Sequence, residues 1–205
     1  MKNNLTRRKH RSLESRKKLF ETASQMILKK GFDNVTIDDI CTKLGVSKSL
    51  FYHFYYSKED IMIEQFQYSD AAYKKIVEEK LNNYSGIDKL LQFTKYQYKY
   101  VKSSFMGKDF LKTVYRTSIM NSEMAHSLTN EKRYLYKFIY ATIKEAQDKK
   151  ELPSHLSTKK IASQILILMR GMFYNWCLYD RGFRFEETNI DMISTFLNGL
   201  KHKVT

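Results

Sequence analysis

The sequence predicts an all-α protein, with an N-terminal three-helix helix-turn-helix domain followed by a larger helical domain. Its 205 residues include one Pro and seven Gly, the two residue types that interrupt helices most strongly. Apolar residues recur at helical spacing in long runs. Three short runs near the N-terminus each begin with a capping residue. The apolar content of 42% is typical of a folded chain.

The N-terminal segment is a concentrated cation. Residues 1–18 hold eight Lys or Arg against one acid, within a chain of net charge +14. We expect residues 1–15 to form a flexible basic arm, which suits nucleic acid or an anionic membrane surface. The arm sequence "RRKHR" is either a solvated tail or a strand that follows the minor groove or the phosphates.

Helices capped by Thr36, Ser47 and Ser57 follow the first helix in close succession and predict a helix-turn-helix domain, residues 16–60. The first helix, residues 16–30, carries an apolar face and ends at Gly31. Thr36 is the N-cap of a second helix, which ends at Gly45. Ser47 caps a third helix directly after the Gly-Val-Ser turn.

Longer helices follow in residues 61–205. Ser57 caps a helix that begins at Lys58, and Ser157 caps an apolar helix that ends near Tyr179. The predicted helices of this region span residues 58–81, 110–120, 131–149, 157–179 and 187–202, and a further helix includes residues 87–101.

The aromatic side chains of the third predicted helix are expected to lie on different faces of that helix. Consecutive residues of an α-helix lie about 100° apart, so an inward Phe51 leaves Tyr52 near the rim. Phe54 and Tyr55 are expected in the core with Phe51. A phenol at the rim can reach a phosphate, and His53 lies beside it.

The residues "GFDNVTIDDICTKLGVSKSLFYHF" and "SKEDI" closely resemble the DNA-binding domain of the TetR family of bacterial transcriptional regulators. The resemblance implies an all-α fold of about nine helices. It also implies a homodimer that binds a palindromic operator in double-stranded DNA, as a repressor, and is released by a small molecule. Residues 61–205 would then form the ligand-binding and dimerisation domain, with the last two helices packed on their mates as a four-helix interface.

The same resemblance assigns DNA-binding roles. Ser47, Lys48 and Ser49 begin the recognition helix, while Thr36, Tyr52 and Lys58 match positions that contact the DNA backbone. Leu50 stands where many members have Thr, and Phe54 where many have His. The full set of expected DNA contacts is Thr36, Ser47, Lys48, Ser49, Leu50, Tyr52, His53 and Lys58, with Arg7, Arg8 and Arg11 of the arm.

Aromatic residues of the C-terminal region suit either an ordinary helical core or a pocket for an aromatic or lipophilic effector. The net charge of +9 over residues 66–205 favours an anion, although solvated basic faces explain it equally well. Arg170 and Asn175, inside an apolar helix, lie either at a dimer interface or in the pocket. The candidate ligand residues are Tyr96, Tyr100, Phe105, Phe110, Tyr115, Tyr134, Phe138, Phe173 and Trp176.

Other classes of protein find no support in the sequence. It has no nucleophile motif, phosphate-binding Gly-rich loop or metal-ligand spacing, so we expect neither an enzyme nor a metal or cofactor site. Without a signal peptide or an apolar membrane span, and with only Cys41 and Cys177, the chain reads as cytoplasmic. Two alternatives remain: a TetR-like DNA binder that answers to a protein partner or marks chromosomal sites without a small-molecule ligand, and a basic membrane-surface or nonspecific nucleic-acid protein.

Overall fold

The computed structural model describes residues 2–103, 107–179 and 182–201, with side chains from residue 10 onward. Every regular element in these residues is an α-helix, which confirms the predicted all-α class. The ten helices are α1 (Lys2–Lys30), α2 (Ile37–Leu44), α3 (Lys48–Phe54), α4 (Glu59–Lys80), α5 (Gly86–Ser103), α6 (Lys108–Met120), α7 (Ser122–Thr129), α8 (Tyr134–Asp148), α9 (Thr158–Leu178) and α10 (Phe185–Lys201).

Two helices differ from the prediction. The first helix starts at Lys2 rather than near residue 16, so the expected arm is a continuation of α1. Its residues are mostly Lys, Arg, Leu and Glu, which are good helix formers, and they form the turns before the first apolar face. Helix α7 is additional: the Asn121 side chain accepts from the N–H groups of Glu123 and Met124 and so caps it.

The chain divides into two compact units, Met1–Gln65 and Phe66–Thr205. In the N-terminal unit α1 packs on α2 and α2 on α3. Val35, at the end of the loop between α1 and α2, is fully buried with them. The buried apolar residues of this unit are Leu19, Phe20, Ala23, Ile27, Phe32, Val35, Ile40, Cys41, Phe51, Tyr55, Ile61 and Met62.

A buried polar cluster ties α1 to the segment after α3. The Tyr55 hydroxyl donates to Glu64 Oε2 at 2.7 Å, and Arg16 Nε donates to the same oxygen at 3.0 Å. Burial, followed by the Glu64 carboxylate, raises the pKa of Tyr55, so its phenol stays protonated. The cluster holds Tyr55, the residue directly after α3, against Arg16 of α1 and Glu64.

The C-terminal unit is built around α5, α8 and α9, with α10 packed on α5 and α9. Helix α6 packs on α7 and on α9. The central core includes Phe93, Phe138, Ile143, Ile165 and Leu197. None of the helices in the described ranges is long and apolar enough to cross a membrane.

Two helices of this unit leave an apolar stripe uncovered. Along α9, Ile167, Gly171, Tyr174 and Leu178 are all exposed, at spacings of four, three and four residues. On α10 the corresponding stripe contains the exposed Met192, Thr195 and Gly199, beside Phe196, which is half-buried against the core. A Cβ added at Gly171 or Gly199 would meet no atom within 4 Å. Both stripes are therefore flat and open to a neighbour.

Candidate nucleic-acid interface and internal cavity

The turn between α2 and α3 is fixed by local chemistry. Gly45 has φ 67°, a left-handed conformation that favours glycine, and its N–H group closes α2 on Cys41 and Thr42. Ser47 then caps α3, since its hydroxyl accepts from the Leu50 N–H at 3.2 Å. The short segment between the two helices therefore has little freedom, and α3 is held at a defined angle to α2.

Helix α3 has one buried face and one exposed face. Phe51 is fully buried and Tyr55 is 2% exposed, whereas Tyr52 is 51% exposed. Ser47, Lys48, Ser49 and His53 are exposed with Tyr52, and Leu50 is half-buried. The exposed residues expected at DNA from the recognition helix are thus brought together at one surface of the unit, and Phe51 and Tyr55 lie where the sequence predicted.

Two aromatic residues at the C-terminal end of α3 are more exposed than Phe51 and Tyr55. Phe54, expected in the core, is only half-buried and its ring contacts His53 at a centroid distance of 4.8 Å. Phe54 is thus less buried than predicted, because it lies at the last position of a seven-residue helix, where other residues of the unit no longer cover it. Tyr56 is 92% exposed, and its backbone N–H donates to Asp60 Oδ2 at 2.6 Å.

Thr36 lies exposed at the N-terminus of α2, as the phosphate-contact prediction requires. Its hydroxyl donates to Asp39 Oδ2 at 2.7 Å and accepts from the Asp39 N–H at 3.1 Å. The Thr36 N–H also donates to Asp39, and these bonds lower the pKa of that carboxyl. A phosphate here must therefore compete with the Asp39 carboxylate for the Thr36 donors.

Lys48 is exposed at the start of α3 and pairs with Asp38 of α2. Its Nζ lies 2.6 Å from Asp38 Oδ1, and both side chains are 60% exposed. The hydrogen bond to Asp38, reinforced by its charge, raises the pKa of Lys48. Both partners are solvated, so the pair is weak and the ammonium can exchange it for a phosphate.

Lys58 occupies a position that the sequence assigned to a phosphate contact, but it turns inward. Its Nζ donates to the backbone oxygens of Phe32 and Val35, the latter at 2.7 Å, and lies 4.0 Å from the Phe32 ring centroid. The ammonium thus satisfies carbonyl groups of the loop between α1 and α2. Lys58 is accordingly left out of the proposed DNA contacts.

The basic residues of the arm continue α1. Arg11 is exposed on this helix, and His10 lies 3.7 Å from Glu14 one turn away. Arg7 and Arg8 lie on the same helix, and their side chains fall outside the described set. A strand in the minor groove, one of the two interpretations of this segment, does not match a helical backbone.

The C-terminal unit contains a partly open cavity of about 60 Å³ lined by α4, α5, α6, α7, α8 and α9. Of the predicted ligand residues, Tyr115 and Phe173 line it. The full lining is Phe66, Tyr73, Gln97, Val101, Leu111, Tyr115, Leu128, Arg133, Leu135, Tyr136, Leu166, Met169, Arg170 and Phe173.

The other predicted ligand residues lie elsewhere. Phe110 and Phe138 are buried among helices, and Tyr96, Tyr100 and Tyr134 pack against the central core. Trp176 stands edge-on to Tyr98, at a centroid distance of 5.5 Å. Phe105 lies outside the described residues. These rings fill space between helices, because helical spacing alone does not distinguish a core face from a cavity face.

Polar groups of the cavity include two arginines with different partners. Arg133 makes a bidentate pair with Asp70, at 3.1 and 3.0 Å, and lies over the Phe66 ring. Arg170 Nη1 donates to the Tyr136 hydroxyl at 2.8 Å, and the Tyr115 hydroxyl donates to the Arg170 carbonyl oxygen at 3.0 Å. Arg170 was singled out in the sequence as a charge within an apolar helix, whereas Gln97, Arg133 and Tyr136 gave no such signal.

Asn175, the other polar residue of that apolar helix, does not line the cavity. It is exposed, and its Nδ2 donates to the Gly171 carbonyl oxygen at 3.1 Å. Within the described part of the chain, no three His, Cys, Asp or Glu side chains gather in a way that could hold a metal ion.

A wider cleft of about 300 Å³ opens on the outside of α8 and α9. It shares Tyr136 and Leu166 with the cavity, so the two spaces adjoin at these side chains. Lys137 and Lys159 stand exposed at its rim, and Lys159 pairs with Glu131 at 3.0 Å.

Comparison with known families matches both units. The family described as bacterial regulatory proteins, tetR family, matches residues 19–64, and the C-terminal region of MAATS-type transcriptional repressors matches residues 77–202. A helix-turn-helix unit followed by such a helical unit defines a DNA-binding transcriptional regulator. The chain belongs to the TetR family, as its sequence motifs suggested.

Solved structures share the fold over nearly the whole chain. The fatty acid degradation regulator FadR from Bacillus halodurans has a TM-score of 0.68 and 19% identity, covering 92% of this chain and 97% of that one. A TetR-family regulator from Pectobacterium atrosepticum has a TM-score of 0.70 and 13% identity, covering 96% and 98%. A regulator from Saccharomonospora viridis, solved in complex with choline, has a TM-score of 0.61 and 22% identity, covering 91% and 94%. Comparison with curated protein sequences gives no match.

Proposed function

We propose that this regulator is a homodimeric repressor that binds a palindromic operator and is released by a small molecule. The observation that carries the proposal is the exposed face of α3, where Ser47, Lys48, Ser49, Tyr52 and His53 share one surface. The buried Phe51 and Tyr55 hold this helix to its unit. Repression is supported by the C-terminal match to transcriptional repressors.

The proposed contacts divide into those that read bases and those that hold the backbone. Ser47 and Ser49, at the N-terminus of α3, face base edges in the major groove, and Leu50 offers an apolar contact to a thymine methyl. Lys48, Tyr52, His53 and Thr36 contact phosphates. Arg7, Arg8 and Arg11 add affinity through phosphates of the flanking DNA.

A homodimer is supported by the exposed apolar stripes of α9 and α10. The α9 stripe presents Ile167, Tyr174 and Leu178 around Gly171, and bare glycine allows the backbones of two helices to approach closely. Pairing both stripes with their mates forms a four-helix interface about a two-fold axis. Such symmetry places two recognition helices in successive major grooves, about 34 Å apart, which requires a palindromic operator.

Release by a small molecule is supported by the internal cavity of the C-terminal unit. A ligand shifts a conformational equilibrium only if it binds the two states with different affinities. The cavity of about 60 Å³ is much smaller than the usual ligand pocket, of roughly 300 Å³ or more. Ligand binding therefore has to enlarge the cavity, which supplies the required difference between the two states.

A binding competition tests the proposal. A palindrome selected from random duplexes is labelled, bound to the protein at physiological salt, and challenged with unlabelled palindrome or with a scrambled duplex. We expect the palindrome to bind at least about 1,000-fold more tightly, with a stoichiometry of two chains per site. Equal competition by the scrambled duplex would contradict sequence-specific repression.

The small cavity also favours a second candidate: a DNA-binding protein without a small-molecule ligand, controlled by a protein partner or marking chromosomal sites. Thermal denaturation of the protein against a metabolite library separates the two. A compound that raises the melting temperature and weakens operator binding supports the ligand-released repressor. A library without such a compound, together with tight operator binding, supports the second candidate.

A further inference from the structure

The structure also indicates the chemical class of the effector. We propose that the ligand of the C-terminal unit is an organic anion, an apolar molecule whose carboxylate binds the Arg170 guanidinium. The inference rests on the ligand-released repressor proposed above and deepens it by naming what the cavity accepts.

The charge of Arg170 is uncompensated at the cavity wall. In the described residues no carboxylate lies within ion-pair distance of its guanidinium, and its one side-chain hydrogen bond goes to the neutral Tyr136 hydroxyl. Arg133, on the same cavity, is neutralised by the bidentate Asp70. A half-buried cation without an anion is costly, and a planar guanidinium fits a carboxylate through two parallel bonds. Arg170 is thus the group that an anionic ligand would satisfy.

The remaining surface of the cavity selects an apolar body. Most of its lining is aliphatic or aromatic, and Leu111, Leu128, Met169 and Phe173 are among these side chains. The Asp70 carboxylate, bound to the lining residue Arg133, accepts two hydrogen bonds from that guanidinium and one from the Tyr134 N–H. It is therefore already satisfied and offers little to a ligand cation.

The outer cleft supplies a route that suits the same ligand. Tyr136 lines both the cleft and the cavity and accepts a hydrogen bond from Arg170, so a rotation of Tyr136 would bring the two spaces together and free a guanidinium donor. Lys159 is paired with Glu131 at the rim, but the exposed Lys137 beside them attracts an anion toward the opening. Joining the cleft, of about 300 Å³, to the cavity is then the enlargement that ligand binding requires.

Matched ligands that differ only in charge test the inference. Decanoate is compared with 1-decanol and decylamine, and phenylacetate with 2-phenylethanol and 2-phenylethylamine, by calorimetry on the full-length protein. A carboxylate–guanidinium pair predicts that each acid binds at least about 10-fold more tightly than its alcohol, and that the amines bind more weakly still. The same series is added to the protein–palindrome complex to measure DNA release.

Three variants connect the preference to one side chain. Arg170→Gln should abolish the ratio of acid to alcohol affinity, and Arg170→Lys should retain part of it because the charge remains. Arg184→Gln is the matched control, since Arg184 is exposed and pairs with Glu187. The alcohol serves as an internal standard, because a loss of packing in a variant would lower both affinities together.

The outcomes separate this inference from the proposed function. Equal binding of acid and alcohol, absence of acid binding, or an unchanged ratio in Arg170→Gln overturns the inference. If alcohols or amines release DNA while acids do not, ligand release survives and the anionic class is wrong. If acids bind through Arg170 without releasing DNA, the anionic class survives and ligand release is wrong.

Discussion

Tyr52 and Tyr55, three residues apart in sequence, have opposite environments. Tyr55 is buried, and its hydroxyl donates to Glu64, which also receives Arg16. The Tyr52 ring packs edge-on against Phe51 at 5.7 Å, and half of its side chain remains exposed. One phenol therefore stabilises the unit, while the other is available to a phosphate.

Removing the Tyr52 hydroxyl should weaken DNA binding without affecting the fold. Tyr52→Phe loses one phosphate hydrogen bond, which corresponds to about 0.5–1.5 kcal/mol of binding free energy. Fluorescence anisotropy with the palindrome measures the effect. The matched control is Tyr140→Phe, because Tyr140 is 47% exposed in the C-terminal unit. Unchanged affinity in Tyr52→Phe would remove this residue from the proposed DNA-binding set.

Lys48 and Lys58 differ in the same way. The Lys48 ammonium has only an exposed carboxylate as a partner, whereas Lys58 donates to two backbone carbonyl groups of its own unit. Position in the family motif assigned both to DNA, but the second helps to hold the loop in front of α2. The distinction depends on the path of the backbone near Phe32 and Val35, which sequence spacing does not give.

We expect Lys58→Gln to lower the free energy of unfolding by about 1–3 kcal/mol, since two partly buried acceptors lose a charged donor. Chemical denaturation of the full-length protein measures this loss. Lys43→Gln is the control, because Lys43 is an exposed lysine in the last turn of α2. A change in the salt dependence of DNA binding, with stability unchanged, would restore Lys58 to the proposed DNA-binding set.

Among the elements, α2 and α3 follow most directly from the sequence. Their bounds are set by Thr36, Gly45 and Ser47, whose capping chemistry acts within four residues. Helix α1 was less predictable because its N-terminal turns have no apolar face, and helix formation there depends on propensity alone. Helix α7 has only eight residues, too few for a clear period.

The cavity was the least predictable feature. Tyr115 and Phe173 were expected in it, yet Phe138 has equally good helical spacing and lies in the core against Phe93, at 4.5 Å. Periodicity tells which face of a helix is apolar. It does not tell whether the facing helix fills the space, since that depends on the crossing of distant segments.

The N-terminal part of α1 carries a prediction about salt. Deleting residues 1–14 removes five Lys or Arg. For every phosphate that these side chains neutralise, the deletion should reduce the slope of log affinity against log salt by about 0.9. Titrations of the palindrome at several salt concentrations measure the slope. The control is Lys74→Gln with Lys75→Gln, which removes two exposed lysines from α4. An identical slope after the deletion would mean that these residues do not bind DNA.

At the scale of the whole molecule, the exposed stripes predict assembly. Ile167→Glu places a charge on the α9 stripe and should convert the proposed dimer to a monomer, because pairing would bury like charges across the two-fold axis. Light scattering after size-exclusion chromatography measures the mass. Ile119→Glu is the control, since Ile119 is 81% exposed and lies on α6. A dimer that survives Ile167→Glu would place the interface elsewhere.

A methyl group added at Gly171 should affect folding and dimerisation in opposite directions. Within a single chain an added Cβ meets nothing, so Gly171→Ala should raise the free energy of unfolding of a monomer by about 1 kcal/mol through helix propensity. In the proposed dimer the same methyl separates the paired backbones. Chemical denaturation of Gly171→Ala in the Ile167→Glu background measures the effect on folding. Dilution of the Gly171→Ala protein measures the effect on dimerisation, and tighter dimerisation would contradict the proposed close approach at Gly171. Selection for thermal stability alone would then drive this protein toward well-folded chains that pair less tightly.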